Sequence, residues 1–512
     1  MDTLKELSLI ITRNKAKSIE VLDVKRHKDS KINEFYYELT KGSFKTDESA
    51  AAFFYPDKPM GSNYRKLKAA LKSRMINSLF FIDAKKSKYT DRQSAYYECY
   101  KDWAAANILL GKNAYQSCVE LCNKTLRYAK RYEFTELSRD ISKVLRLHYG
   151  AQIGDVNAYR KYRSLYEEYD YICRWEDKAE RHYSDLMIEY VNNKSSKEHL
   201  YLEAQKHIEE LKKPMEEIDS YRLHLYGNLI QLVRHSIQND FSKIQEVSKI
   251  MARFFEEKSY LATTPLQIAY YYQLVACTQL KQYNEGKIVA TKCFSLLAEG
   301  SFNWFKYYEL FFTLAMHSQE YDEAYQMFIM VQSHPRMKFL PDNVKEIWSI
   351  YEAYLHYLNE AGYIQSAKNE KNKFRLGRFL NTIPIFSKDK RGMNIAILVV
   401  QILFFVQQKK YFVAIDKIEA IEKYCARYLH KAETIRSYYF IKMLLCIPQA
   451  NFHRVAVERK SKRYFEKLVS IPLEEANQTY KIEILPYEDL WNMILNTLEL
   501  KSYIPRRSSM NN

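Results

Sequence analysis

The sequence predicts an all-α fold: an α-solenoid of helical hairpins behind a small N-terminal helical domain. Three observations predict it. Gly and Pro number 11 each in 512 residues, about 4% together against an average near 12%. Turn residues that scarce cannot punctuate the many short strands of a sandwich or barrel. Apolar residues recur with a helical period from end to end, and at 47% they are too abundant for a disordered chain. Finally, one local pattern returns along the chain: an aromatic, two variable residues, a small residue, then an apolar position on the same helix face. Mostly helix and almost no strand is the expectation, a small β-hairpin near 82–92 being the one exception allowed.

The N-terminal region, 1–93, opens the element order. Thr46 is placed to cap a short helix with Ala50, Ala51, Phe53 and Phe54 as its apolar face. Pro56 to Gly61 makes a turn. Ser62 or Asn63 then caps a longer helix with Tyr64, Leu67, Leu71, Met75 and Leu79 on one stripe. Off that stripe lie Arg65, Lys66, Lys68, Lys72 and Arg74. A short helix, a turn and a basic second helix is the outline of a helix-turn-helix, whose second helix enters the major groove. The stretch AAFFYPDKPMGSNYRKLKAALKSRM resembles the winged-helix domain of bacterial activators that carry tetratricopeptide repeats; Leu67 and Leu71 fit the Arg-x-Leu-x-x-x-Leu part of that pattern. The resemblance implies DNA contact through the five cations. No wing hairpin follows, because 82–90 is short and lysine-rich, so a pair of helices capping the repeat array is the alternative.

The array itself is expected over 94–260, 261–363 and 394–500. The recurring pattern reads Tyr115-Gln-Ser-Cys118, Tyr283-Asn-Glu-Gly286, Tyr321-Asp-Glu-Ala324 and Tyr411-Phe-Val-Ala414, each after a polar turn and an amphipathic helix. In a helical hairpin the aromatic closes the turn, and the small residue lets the first helix approach. Between these copies, helices are predicted over 134–149, 157–174, 176–191 and 198–211, the last stopping before Pro214. Further ones cover 220–237 and 241–255. Thr264 and Pro265 read as an N-cap and first-turn pair. Helices over 341–361 and 395–406 follow, and 501–512 is a frayed tail.

The copy SQEYDEAYQMF, with Phe328, resembles the tetratricopeptide repeat, whose second helix commonly begins with a Tyr-x-x-Ala pattern; LKQYNEGKIVATKCFSLL is the next best copy. The resemblance spans the hairpin architecture from about 95 to 450, with its clearest motifs at 265–332, and implies a tetratricopeptide-like array that docks proteins. A generic helical bundle is the competing reading of the same periodicity.

Charge adds candidate sites. Lys plus Arg total 79 and Asp plus Glu 62, a net charge of +17. This is either a solvated, interleaved basic surface or attraction for a polyanion. The connecting segment 364–393 holds Arg375, Arg378, Lys388, Lys390 and Arg391, and the helix after Asn451 carries Arg459 and Arg463 together with Arg454, Lys460 and Lys462. Both suit phosphate or acidic-peptide contact.

Eight cysteines without a C-x-x-C or zinc spacing read as buried free thiols. The longest apolar run, 395–406, is too short for a bilayer span, and cytoplasm is the expected location. No phosphate-cradle, nucleotide-binding, nucleophile-elbow or His-metal motif occurs, so neither catalysis nor a cofactor is expected. The leading reading is a non-enzymatic scaffold that docks a protein or peptide on a tyrosine-rich, basic surface. The alternatives are a DNA-binding transcriptional regulator and an RNA-binding helical solenoid. The oligomeric state stays open.

Overall fold

The computed structural model describes residues 30–57, 59–81, 90–192, 196–365, 377, 379, 393–428, 435–471 and 483–498. Among these there are 20 α-helices and no strand. In chain order they are α1 (Lys31–Thr40), α2 (Asp47–Phe54), α3 (Ser62–Leu79), α4 (Asp91–Gly111), α5 (Tyr115–Arg131), α6 (Thr135–Leu147), α7 (Val156–Asn192), α8 (Lys197–Glu217), α9 (Tyr221–Ile237) and α10 (Phe241–Glu256). Then come α11 (Thr263–Gln279), α12 (Tyr283–Ser295), α13 (Phe302–His317), α14 (Tyr321–Ser333), α15 (Asp342–Glu360), α16 (Met393–Gln407), α17 (Tyr411–Tyr428), α18 (Ile435–Gln449), α19 (Arg454–Val469) and α20 (Tyr487–Thr497). Two compact units contain them: Met1–Trp175 with Ser259–Leu261, and Glu176–Lys258 with Ala262–Asn512.

In the first unit α1 and α3 pack together around Phe35, Ala50, Ala51, Phe54, Tyr64, Leu67 and Leu71. Thr46 caps α2 in a capping box with Ser49. Three expectations fail here. Phe53, expected on the apolar face of α2, is 54% exposed. Gly61, not Ser62 or Asn63, precedes α3, and no side chain caps it. The stripe buries Tyr64, Leu67 and Leu71, but Met75 is 40% and Leu79 61% exposed, because the α1–α2 layer covers only the first half of the helix. Helices α4, α5 and α6 pack in sequence, and one π-helical turn, His148–Ile153, precedes α7.

The second unit is built of neighbours: from α8 to α20 each helix packs on the next. One turn geometry joins helices in both units. Asn113, Glu133, Asn239, Lys281, Gln319 and Lys409 all take φ between 54° and 63°. The N–H of the following residue then bonds the carbonyl five positions back: Ala114 to Leu109, Phe134 to Ala129, Asp240 to His235, Gln282 to Cys277, Glu320 to Ala315 and Lys410 to Phe405, all at 2.8–3.0 Å. This bond ends one helix as a Schellman motif, and the next helix starts one residue later. Four of those starts are the tyrosines of the sequence pattern, Tyr115, Tyr283, Tyr321 and Tyr411.

The small residues also behave as the hairpin logic requires. Cys118, Ala324 and Ala414 are buried. A Cβ on Gly286 would stand 2.1 Å from Leu314 Cδ2 and 3.3 Å from Cys277 Cβ, so α12 approaches both α11 and α13 through that glycine. Phe328 faces the next helix, its ring 6.4 Å from Trp348.

Three boundaries differ from expectation. The two helices expected over 157–174 and 176–191 are one, since no Gly or Pro at Trp175 interrupts α7. Helix α8 passes through Pro214 to Glu217; Pro214 forfeits its N–H, yet its carbonyl still accepts from Ile218 at 2.9 Å. Thr264 is not the cap of α11, which starts at Thr263 after Ala262, and Pro265 falls inside its first turn. The β-hairpin allowed near 82–92 falls mainly on residues outside the described ones.

A buried polar clasp fastens the segment leading into α20. Arg436, 1% exposed, donates to both Glu483 oxygens and both Glu488 oxygens at 2.7–3.1 Å. It also donates to the Leu468 and Ile471 carbonyls. The Glu483 carbonyl accepts from His317 Nε2 at 2.6 Å, and Tyr487 stacks on Phe440 at 4.3 Å.

Burial pushes the His317 imidazole down to about 4, its backbone bond to Glu483 opposing only in part. The folded chain therefore binds fewer protons here than the unfolded chain between about pH 4 and 6.5. Stability from this group is complete above about 6.5 and is lost as pH falls toward 4. His317→Gln keeps a donor for Glu483 and should remove about 2–3 kcal/mol of the stability difference between pH 7 and 4.5, read by urea unfolding of both proteins. An unchanged pH slope would show that His317 titrates normally.

Candidate functional site

The cations expected to read DNA lie on α3. Arg65, Lys66, Lys68 and Lys72 are exposed and Arg74 is half-buried. Lys68 is engaged by Asp47, which also accepts from the Tyr64 hydroxyl at 2.7 Å. Those two donors, Lys68 first, hold the Asp47 carboxyl below its usual range. The side chains of Arg65, Lys66, Lys72 and Arg74 make no hydrogen bond or ion pair among the described residues. Helix α2, a turn and α3 thus follow one another in the chain, with four of the five cations uncommitted.

Arg375, Arg378, Lys388, Lys390 and Arg391 lie outside the described residues. Arg459 and Arg463 lie one turn apart on α19, where both are exposed. Arg463 turns away to its neighbour, its guanidinium 4.5 Å from the Tyr464 ring centroid and bonded to the hydroxyl at 2.6 Å. Arg459 lines a cleft of about 440 Å³ between α19 and α20 with Val455, Glu458, Ser461, Lys462, Phe465, Trp491, Asn492 and Leu495.

The cleft follows from local sequence. On α19, Val457, Ser461 and Leu468 turn inward and are buried, while Val455 remains 55% exposed at the lip. From α20, Trp491 and Leu495 are one turn apart and floor the cleft. Arg454 Nη2 bonds Asn496 Oδ1 at 3.1 Å, tying the two walls. Neither Arg459 nor Lys462 makes a hydrogen bond or ion pair among the described residues. The cleft therefore has an apolar floor, two uncommitted cations and one acid, Glu458, on its rim. Sequence reading found the basic face of α19 but missed Phe465, Trp491 and Leu495. The fourfold spacing of Trp491 and Leu495 was the available signal.

A second, wider hollow of about 820 Å³ lies along Lys143, Arg146, Gly150, Asp155 and Tyr159. Its arginine is already committed, 4.4 Å above the Tyr166 ring. Elsewhere His182 and His207 stack at 3.9 Å, with His182 Nε2 2.8 Å from Glu210.

The seven cysteines whose side chains are described are buried and unpaired in disulfides, and burial raises the Cys99 and Cys293 thiols to about 12. Cys99 and Cys293 are therefore thiols rather than thiolates near neutrality, which makes them poor nucleophiles. Among the described residues no three His, Cys, Asp or Glu side chains gather as a metal ion requires. No helix among them is long and apolar enough to cross a membrane. No family model matches the chain, and comparison with curated proteins and with solved structures finds no similar protein.

Proposed function

We propose that this chain is a non-enzymatic interaction scaffold, an α-solenoid of tetratricopeptide-like hairpins acting in the cytoplasm. It docks a protein or peptide on a basic, tyrosine-bearing surface. The observation that carries the reading is the recurrence of one turn, a left-handed residue and a bond five positions back, with a small residue at the helix approach. Identical joints let hairpins stack on one another and leave helix faces for a partner. Tyrosines such as Tyr271 and Tyr363 are partly exposed and offer an apolar body with a hydroxyl tip.

A second reading, a DNA-binding regulator, is favoured by one observation: α3 keeps Arg65, Lys66 and Lys72 exposed and unpaired. Salt dependence separates the two. Each phosphate contact contributes roughly one unit to the slope of log K against log salt. Neutralising Arg65, Lys66, Lys68, Lys72 and Arg74 together should therefore flatten the slope of a true reader. Neutralising Arg375, Arg378, Lys390 and Arg391 is the parallel control. The scaffold reading expects weak, sequence-indifferent binding that both variants reduce alike. Selective loss through the α3 cations alone, with affinity persisting near physiological salt in the parent, would overturn it in favour of the regulator.

A further inference from the structure

We infer that the α19–α20 cleft is the docking site for an acidic peptide that inserts one bulky apolar side chain, an inference that rests on the scaffold reading. The cleft volume, about 440 Å³, is at the small end of ligand clefts and suits one anchor rather than a long apolar helix. Its floor of Trp491, Leu495 and Phe465 presents hydrocarbon and aromatic surface with few polar atoms. The anchors that dominate protein interfaces seat in pockets of this kind, ringed by polar groups.

Charge sets the sign of what flanks the anchor. Arg459 and Lys462 project from one wall with no partner among the described residues, and α19 as a whole carries Arg454, Arg459, Lys460, Lys462, Arg463 and Lys467 against Glu458 and Glu466. A carboxylate on either side of the anchor reaches these cations at the rim. There each pair speeds encounter and fixes register more than it adds affinity.

A nucleic-acid strand fits less well. It needs a continuous track of cations along its backbone, and the rim interrupts that track with Glu458. The walls are also pinned. The Arg454–Asn496 bond and the Arg436 clasp, which holds both the Leu468 carbonyl of α19 and Glu488 of α20, keep the cleft open without a ligand. A preformed site of this kind spares the cost of ordering on binding.

The test uses the full chain and a pool of short synthetic acidic peptides, each with Trp, Phe, Leu or Ser at its centre. Binding is read by enrichment and then by fluorescence anisotropy near physiological salt. The parent should prefer an apolar centre over Ser by roughly tenfold, the discrimination expected of one side chain in an apolar pocket. Val455→Glu should abolish that preference. Arg459→Glu with Lys462→Glu should weaken all the peptides, whereas Lys66→Glu with Lys72→Glu, an equal charge change on α3, should leave the preference intact. All these positions are exposed, and matching circular dichroism and melting temperatures check the fold.

Equal binding of Ser-centred and apolar-centred peptides would mean general attraction and overturn the proposal. Selective binding that the cleft variants do not weaken would overturn the cleft but leave the scaffold reading standing on another surface. Displacement of a selected peptide by a short single-stranded oligonucleotide at comparable concentration would reassign the cleft to nucleic acid.

Discussion

Replacing Arg436 by Met is expected to destabilise the second unit by about 3–5 kcal/mol, the usual result of removing one partner from a buried ion pair. The loss has two sources. Glu483, fully buried, loses the cation that opposes its desolvation; burial already pushes its carboxyl up against the pull of Arg436. The Ile471 carbonyl, just past the end of α19, loses its donor, and an acceptor left without a partner carries its own cost; the Leu468 carbonyl loses one donor and keeps the Ile471 N–H at 3.2 Å. Because the clasp holds the segment before α20, unfolding should begin there, and a red shift of tryptophan emission with Trp491 contributing should precede the main helical transition. Combining Arg436→Met with Glu483→Leu should recover a large part of the loss, since replacing both members of a buried pair by apolar groups is often neutral. A single variant within 1 kcal/mol of the parent would show that the clasp does not hold this end of the chain.

Ala324→Arg is expected to cost about 4 kcal/mol or more, adding overpacking to an unpaired buried charge. Ala324 has no exposed surface and is flanked in its hairpin by Tyr321 and Phe328, both buried. Gly286→Val should act in the same direction for a steric reason, because its new Cβ meets the Leu314 side chain at 2.1 Å. Gln326, exposed on the same helix as Ala324, supplies the control: Gln326→Arg should stay within about 0.5 kcal/mol of the parent. Denaturant unfolding followed by far-ultraviolet circular dichroism reads all three. If Ala324→Arg and Gln326→Arg melted alike, the hairpin register would be misplaced.

The helices were legible in the sequence because helix-forming physics is local. Scarce Gly and Pro, the 3.6-residue period and the Tyr-x-x-small pattern located four helix starts to the residue. The turns before them were legible only as polar stretches. Their left-handed residues are Asn, Glu, Lys and Gln; only Asn favours a positive φ, and less strongly than glycine does. Boundaries that depend on neighbours were less readable. Pro214 is tolerated inside α8, and Met75 and Leu79 extend an apolar stripe past the layer that covers it. The Arg436–Glu483 pair was invisible because its members are 47 residues apart in ordinary charged surroundings. The candidate site divided the same way. The cations of α19 form a local run, whereas the cleft floor comes from α20 and exists only once the two helices pack.

The most direct measurement for the scaffold itself is affinity purification of the full chain with and without nuclease, carried out for the parent and for Arg459→Glu with Lys462→Glu. The expected result is a defined set of proteins that survives nuclease in the parent and is depleted in the charge-reversed variant. Disappearance of all retained material on nuclease treatment, with the charge-reversed variant indistinguishable from the parent, would contradict the scaffold and point to a nucleic-acid-binding protein.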